Sequence, residues 1–205
     1  MTKLILTRHG HVEGIDPERF RGRTELPLTS LGNAQAQAVA ARIAAEWKPS
    51  VIYTSPMGRC VNTAGHIAKA CNVPAQVMNE LNDLDFGAWR GKLHSEIKAA
   101  SPELYAQWRN TPQLVRFPEG ESLQDLAART ADALRLIVKR HPDGVVVAVG
   151  HDNVNRVWLT QLLDLPLSAF WRVAQIPCCL NEFDIVDGAV RVMRINETRH
   201  LPPAG

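Results

Sequence analysis

Three short and almost uninterrupted apolar runs stand out along the chain, at residues 4–6, 51–53 and 145–149. Runs without alternating polar residues are typical of strands that are buried on both faces of a parallel sheet. Each run is followed by a stretch with helical spacing of its apolar residues, so the pattern predicts repeated strand–helix units.

The helical patterns cover residues 31–47, 57–71, 121–140 and 152–163. Thr29-Ser30 and Ser122, with Asp125 three residues after it, are favourable helix-capping residues. Near the end of the chain, two strand patterns flank Asp187-Gly188 and predict a hairpin. This C-terminal hairpin could extend a sheet edge or form a contact in a homodimer, and the sequence leaves both open.

Residues 86–118 show no regular pattern, and we expect short helices there that cover one end of the sheet. The pattern as a whole predicts a single α/β domain over residues 1–205. We expect a three-layer α/β/α sandwich around a mostly parallel central sheet.

Composition narrows the class of protein. The chain has 205 residues, 45% of them hydrophobic, which is enough for one substantial core. Its net charge is only +2, without blocks of like charge, which argues against a nucleic-acid partner. The first apolar run turns polar at Thr7, too early for a signal peptide or a membrane-spanning helix, so we expect a cytoplasmic protein without membrane contact.

The four cysteines lack the spacing of a metal site or of a secreted disulfide framework. Cys60 and Cys71 fall on an apolar helical stripe, which favours buried thiols over a disulfide. Cys178 and Cys179 receive no role from the sequence.

Candidate chemistry gathers where the predicted strands end. Arg8 and His9 follow the first run, His151 follows the third, and Arg59 lies in the first turn of the helix after the second. The carboxyl ends of parallel strands meet at one edge of a sheet, so we expect these four side chains together. Guanidinium groups match phosphate oxygens, and an imidazole among them is biased towards its neutral, nucleophilic form. The pattern predicts an anion site that contains a nucleophile.

With these residues in place, the chain resembles the histidine phosphatase superfamily, which includes cofactor-dependent phosphoglycerate mutases and many small phosphatases. The matching segments are Leu6-Thr7-Arg8-His9-Gly10, Pro27-Leu28-Thr29, Tyr53-Thr54-Ser55-Pro56-Met57-Gly58-Arg59, Leu81-Asn82-Asp83-Leu84-Asp85-Phe86-Gly87, Gly120-Glu121-Ser122 and Gly150-His151.

The resemblance implies that His9 is the nucleophile and becomes a phosphohistidine during turnover. It implies that Arg8, Arg59 and His151 hold the phosphoryl oxygens, and it implies no metal and no cofactor. A metal hydrolase is the weaker alternative, because the chain has neither an HExxH motif nor a carboxylate-rich cluster.

Two departures from the family pattern stand out. The family usually has a glutamate as general acid where this chain has Asp83; we favour Asp83 by position, with Glu80 as the alternative and Asp85 nearby. A phosphate-binding asparagine of the family is replaced by Ile15, and we expect Arg21 and His11 to contribute substrate contacts instead.

The short segment between Asp83 and the helix predicted from residue 121 resembles the small phosphatases, because mutases of this family usually carry an insertion there. We therefore expect a hydrolase that acts on a small phosphomonoester. The alternatives are a phosphoglycerate mutase-type phosphotransferase and a non-catalytic phosphoryl-binding or signalling module.

Overall fold

The computed structural model describes residues 1–202 and contains one six-stranded sheet in the order β3-β2-β4-β1-β5-β6. The neighbours β3, β2, β4 and β1 run parallel, whereas β5 is antiparallel to β1 and β6 is antiparallel to β5. The strands are β1 (Thr2–Arg8), β2 (Val51–Thr54), β3 (Ala75–Val77), β4 (Val145–Gly150), β5 (Leu180–Val186) and β6 (Ala189–Glu197).

Helices cover both faces of the sheet. They are α1 (Ser30–Glu46), α2 (Gly58–Cys71), α3 (His94–Ala100), α4 (Pro102–Asn110), α5 (Leu123–Arg140) and α6 (Asp152–Leu162). Alternate residues of β1 point to opposite faces: Ile5 joins the core under α1 and α2, and Leu4 and Leu6 join the core under α5 and α6. The predicted three-layer α/β/α sandwich with a mostly parallel sheet is confirmed.

Local signals in the sequence fix where the helices begin. Thr29 Oγ1 accepts a hydrogen bond from Gly32 N at 3.0 Å and caps α1. At the start of α5, Ser122 Oγ accepts from Asp125 N and the Asp125 carboxylate accepts from Ser122 N, a reciprocal capping box. These caps explain why the predicted starts of α1 and α5 lie within two residues of the observed ones.

The segment over residues 86–118 contains α3, α4 and short 3₁₀ turns. Its aromatic residues are buried rather than open to a ligand: Trp89 is 3% exposed and Trp108 is 1% exposed. Phe117 packs edge-on against both tryptophans. These contacts tie the segment to the core beside the sheet.

The C-terminal hairpin extends the sheet through β5 and β6, and Asp187 and Gly188 form its turn with positive φ angles of 49° and 84°. The predicted homodimer and the cytoplasmic location stay predictions. Among residues 1–202, none of the helices has the length and apolar character needed to span a membrane. The predicted domain runs to residue 205, and residues 203–205 lie outside the described part of the chain.

Cys60, Cys178 and Cys179 are buried and Cys71 is partly buried, and all four are free thiols. Strand β3 was not predicted, because its three residues are exposed and carry no pattern.

Candidate active site

Neighbouring strand ends bring the first catalytic candidates together. Arg8 pairs with Gly150 at the ends of β1 and β4, and His9 N then donates to Gly150 O at 3.0 Å. His151 follows Gly150 directly, so the two histidine rings meet edge to face with their centroids 5.3 Å apart. The parallel register therefore joins residues that are 142 positions apart in the chain.

The hydrogen bonds of His9 define its tautomer. Its Nδ1 lies 2.7 Å from Gly10 O, and because a carbonyl only accepts, Nδ1 carries the proton. Its Nε2 accepts from Arg59 Nε at 3.2 Å. His9 is thus a neutral imidazole with the lone pair on Nε2, the form required for nucleophilic attack.

Arg59 is the centre of the cluster and is fully buried. Besides His9, its guanidinium donates to Asp83 Oδ2 and to His151 Nδ1, each at 3.1 Å, and to two backbone carbonyls. Position 59 lies in the first turn of α2, on the buried face of that helix. This position lets the side chain reach the strand ends.

His151 is fixed from the other side by Ser55, the residue that follows β2. Its Nε2 lies 2.7 Å from Ser55 Oγ, and its Nδ1 accepts from Arg59, so Nε2 carries the proton. Ser55 belongs to a motif recognised in the sequence, but no role was predicted for it.

Burial is the main reason that the pKa values of His9 and His151 lie well below their ordinary value of 6.5. The positive charge of Arg59 is the next cause for both rings, and Arg8 lowers them further. Both histidines are therefore neutral at physiological pH, as expected for an imidazole surrounded by guanidinium groups.

Asp83 is the one predicted acid candidate whose carboxylate joins this cluster. It is 5% exposed, its Oδ1 accepts from Asn153 Nδ2 at 3.0 Å, and its Oδ2 lies 3.5 Å from His151 Nδ1. Glu80 is exposed, and Asp85 instead accepts from Gly87 N and pairs with Arg23.

The backbone of Asp83 is held by two arginines. Its carbonyl accepts from Arg23 Nε at 3.1 Å and from Arg129 Nη2 at 3.0 Å, and Glu121 forms ion pairs with both arginines. Glu121 also accepts from Asp85 N. This network fixes the loop that carries Asp83, whose side chain is shorter than the glutamate usual in the family. The network was not predicted, because its members are far apart in sequence.

Arg8 is 7% exposed and donates to Gln175 O at 2.6 Å. Its Nη1 lies 3.6 Å from Asp152 Oδ1. Its Nε is buried and has no hydrogen-bond partner among the described residues. A buried donor without a partner at a basic site is the feature expected where an anion binds.

A narrow cavity of about 40 Å³ opens above His9, with room for a few water-sized groups. It is lined by His9, Glu18, Arg19, Phe20, Arg21, Gly22, Asp83, Phe86, His94, Trp108, Asp152, Asn153 and Trp171. Arg21 is thus brought to the site, and burial lowers its pKa to about 10. His94 and Glu18 were missed by the sequence reasoning, because neither follows a strand.

His11 differs from its prediction. Its Nδ1 lies 3.0 Å from Thr29 Oγ1, the capping residue of α1, and its backbone N donates to Gln35 Oε1. His11 is not among the residues that line the cavity above His9. The side chain stabilises the start of α1 instead of reaching the site.

Within residues 1–202, no three histidine, cysteine or acidic side chains are grouped so that they could hold a metal ion. Comparison with known proteins identifies the family of this chain. The profile described as histidine phosphatase superfamily (branch 1) matches residues 4–198. This chain belongs to the histidine phosphatase superfamily. The predicted family is confirmed.

The relatives align with this chain over most of its length. Phosphoserine phosphatase 1 of Hydrogenobacter thermophilus is 32% identical over 98% of this chain and 95% of its own length. A probable phosphoglycerate mutase, GpmB, of Yersinia enterocolitica is 31% identical over 90% of this chain and 85% of its own. The solved structure of YhfR from Bacillus stearothermophilus superposes with a TM-score of 0.93 at 28% identity and covers 98% of this histidine phosphatase and 100% of that chain.

Proposed function

We propose that this protein hydrolyses phosphomonoesters of small metabolites through a phosphohistidine on His9, without a metal ion. The observation that carries the proposal is the hydrogen bond from Arg59 Nε to His9 Nε2 in a buried cluster of positive charge. This bond shows that the Nε2 lone pair is available for attack. A relative from Hydrogenobacter thermophilus that aligns over 98% of this chain and 95% of its own length bears the name phosphoserine phosphatase 1.

In the first step, His9 Nε2 attacks phosphorus while the bond from phosphorus to the leaving oxygen breaks. Asp83, in the protonated form that the second step regenerates, gives its proton to that oxygen, and an alcohol leaves. The hydrogen bond from Arg59 to His9 breaks when the phosphoryl group binds to His9 Nε2. The Arg59 guanidinium then donates to one of the phosphoryl oxygens. The buried, unpartnered Nε of Arg8 offers a second donor.

In the second step, water attacks phosphorus and the bond to His9 Nε2 breaks. The proton of the water passes to Asp83, which restores the acid for the next turnover, and inorganic phosphate leaves. Arg21 adds positive charge around the three phosphoryl oxygens, where charge develops in the transition state. His151 accepts from Arg59 through Nδ1 and so orients the guanidinium that binds these oxygens.

We also propose that residues 1–205 act as one domain, in which residues 86–118 cover the active site. The lining of the cavity by Phe86, His94 and Trp108 supports this role. In this arrangement the segment limits the size of the leaving group.

The likeness to GpmB of Yersinia enterocolitica favours a phosphoglycerate mutase as the second candidate function. A mutase returns the phosphoryl group to the substrate, whereas a hydrolase gives it to water. Release of inorganic phosphate without formation of an isomeric phosphate ester distinguishes the two. A non-catalytic phosphoryl-binding module would turn over neither type of substrate.

The test is hydrolysis of p-nitrophenyl phosphate in excess EDTA, followed by a panel of sugar, nucleoside and amino-acid phosphates. The His9→Ala variant is the blank, and His66→Ala, on the outer part of α2, is the matched control. We expect turnover that resists EDTA and disappears in His9→Ala alone. Turnover by His9→Ala at the wild-type rate would overturn the mechanism.

A further inference from the structure

The guanidinium of Arg8 is held at one point. Its Nη1 donates at 2.6 Å to the backbone carbonyl of Gln175, which is the only acceptor within hydrogen-bond distance of this guanidinium in the described part of the chain. Its Nε is buried and has no partner there. Arg59 differs, because its guanidinium donates to five acceptors. The direction of the free N–H edge of Arg8 therefore depends on where the Gln175 carbonyl lies.

Gln175 belongs to an irregular loop, residues 173–179, which leads into β5. This loop contacts Arg8 a second time, because Cys178 N donates to Arg8 O at 3.0 Å. A loop has no regular ladder of backbone hydrogen bonds to orient its carbonyls, so other contacts must do so. The position of Arg8 thus depends on what holds this loop.

Two buried amide side chains hold the loop against the sheet. Gln175 Nε2 donates to Asn181 Oδ1, and Asn181 Nδ2 donates to Gln175 Oε1, each at 3.0 Å. Gln175 is 2% exposed, and Asn181, on β5, is fully buried. Two parallel hydrogen bonds between planar groups fix their relative orientation as well as their distance. These two residues form the amide pair.

The Asn181 amide also binds the two strands beside β5. Its Nδ2 donates to Leu6 O of β1 at 3.1 Å, and its Oδ1 accepts from Asn196 N of β6 at 2.9 Å. The pairing of β5 with β6 shifts register between residues 180 and 182, and such irregularities are common next to active sites. The amide pair thereby ties the loop to β1, β5 and β6.

Packing alone does not require amides at these two positions. Exchanging both partners of a buried hydrogen bond for apolar groups of the same shape can be nearly neutral for stability. Apolar groups do not supply a fixed orientation, whereas a fully satisfied polar network does. The contribution of the amide pair is therefore orientation, and the group that it orients is the Gln175 carbonyl that accepts from Arg8.

We propose that Gln175 and Asn181 are positioning residues for phosphoryl transfer. Their amide pair orients the Gln175 carbonyl, and this carbonyl turns Arg8 so that its free Nε faces a phosphoryl oxygen. The inference rests on the proposed function and deepens it. Neither residue lines the cavity above His9, so their effect on the substrate passes through Arg8.

The test compares Asn181→Leu in two backgrounds, wild type and Arg8→Gln. The readouts are kcat/KM for p-nitrophenyl phosphate and the dissociation constant of inorganic phosphate, measured by calorimetry. In wild type, we expect Asn181→Leu to lower kcat/KM about tenfold and to weaken phosphate binding by a similar factor, as the misalignment of one hydrogen bond to a charged group implies. In Arg8→Gln, Asn181→Leu should change neither quantity further.

A double variant, Gln175→Met with Asn181→Leu, separates orientation from stability. It leaves no unpartnered amide in the interior, so it should be more stable to urea than Asn181→Leu. We expect it to keep the tenfold loss of kcat/KM all the same. Thr2→Val is the matched control, because Thr2 is 1% exposed, donates to His141 O at 2.7 Å and lies at the end of β1 remote from Arg8. Its kcat/KM should equal that of wild type.

Equal losses from Asn181→Leu in both backgrounds would indicate a general structural role and overturn the proposal. Wild-type kcat/KM in the double variant would also overturn it, as would unchanged phosphate affinity in Asn181→Leu or a wild type that does not bind phosphate. A wild type that binds phosphate without hydrolysing p-nitrophenyl phosphate would contradict the proposed function instead. The phosphate affinities would then still decide the role of the amide pair.

Discussion

His9 and His151 are neutral in the folded protein, and we expect its stability to fall as the pH falls because of them. Burial and Arg59 hold both pKa values well below 6.5. In the unfolded chain, by contrast, each imidazole takes up a proton near its ordinary pKa. Protons therefore bind the unfolded state in preference, and acid shifts the equilibrium towards it.

The size of the effect follows from proton linkage. Between about pH 7.5 and about pH 5.5, the unfolded state gains close to one proton per histidine. The folded state gains fewer, because its two histidine pKa values are lowered. Proton uptake by the unfolded state limits the loss of stability to roughly 1 kcal/mol for each ring and roughly 2–3 kcal/mol for the pair. The stabilisation is fully present above the unfolded pKa and decreases below it, down to the lowered folded pKa values.

The assay is urea unfolding followed by tryptophan fluorescence at the two pH values, for wild type, His9→Asn, His151→Asn and the double variant. Between the two pH values, wild type should lose roughly 2–3 kcal/mol more of its free energy of unfolding than the double variant, and each single variant should show about half of this difference. The double variant keeps the contribution of His94 and His200, whose pKa values are also lowered, chiefly by burial. Equal pH dependence in wild type and the double variant would refute the reasoning.

Two further predictions concern the acid and the nucleophile loop. Asp83→Asn should slow hydrolysis of alkyl phosphates about a hundredfold or more, but that of p-nitrophenyl phosphate far less, because p-nitrophenolate leaves without a proton. If Glu80→Gln shows this pattern instead, Asp83 is not the acid. Gly10→Ala should lower the free energy of unfolding by about 1–3 kcal/mol, because its Cβ would lie 2.4 Å from Gly32 O. Urea unfolding measures this loss, and the sterically open Gly65→Ala serves as the control.

The sheet and the central cluster could be predicted because their signals are local. Strands buried on both faces produce continuous apolar runs, and residues directly after such strands must meet at one edge. Arg8, His9 and His151 are placed by that rule. Arg59 was placed beside them by its position in the first turn of the helix that follows β2.

Features that depend on distant contacts could not be predicted. The clamp of Arg23 and Arg129 on the Asp83 carbonyl joins three segments, and nothing in any one of them signals the contact. Glu18 lies outside the helices and strands and His94 is the first residue of α3, and no periodicity in the sequence marks either position as part of the cavity. His11 was expected at the substrate, but its Nδ1 lies within hydrogen-bond distance of Thr29 Oγ1.

The central claim is a phosphoryl group on His9 Nε2 during turnover. The most direct measurement is to mix the enzyme with substrate, quench in alkali, where phosphohistidine survives, and locate the phosphoryl group by tandem mass spectrometry. We expect modification of His9 in the wild-type enzyme, loss of this label in acid, and no label in His9→Ala. A label on another residue, or steady turnover by His9→Ala, would contradict it.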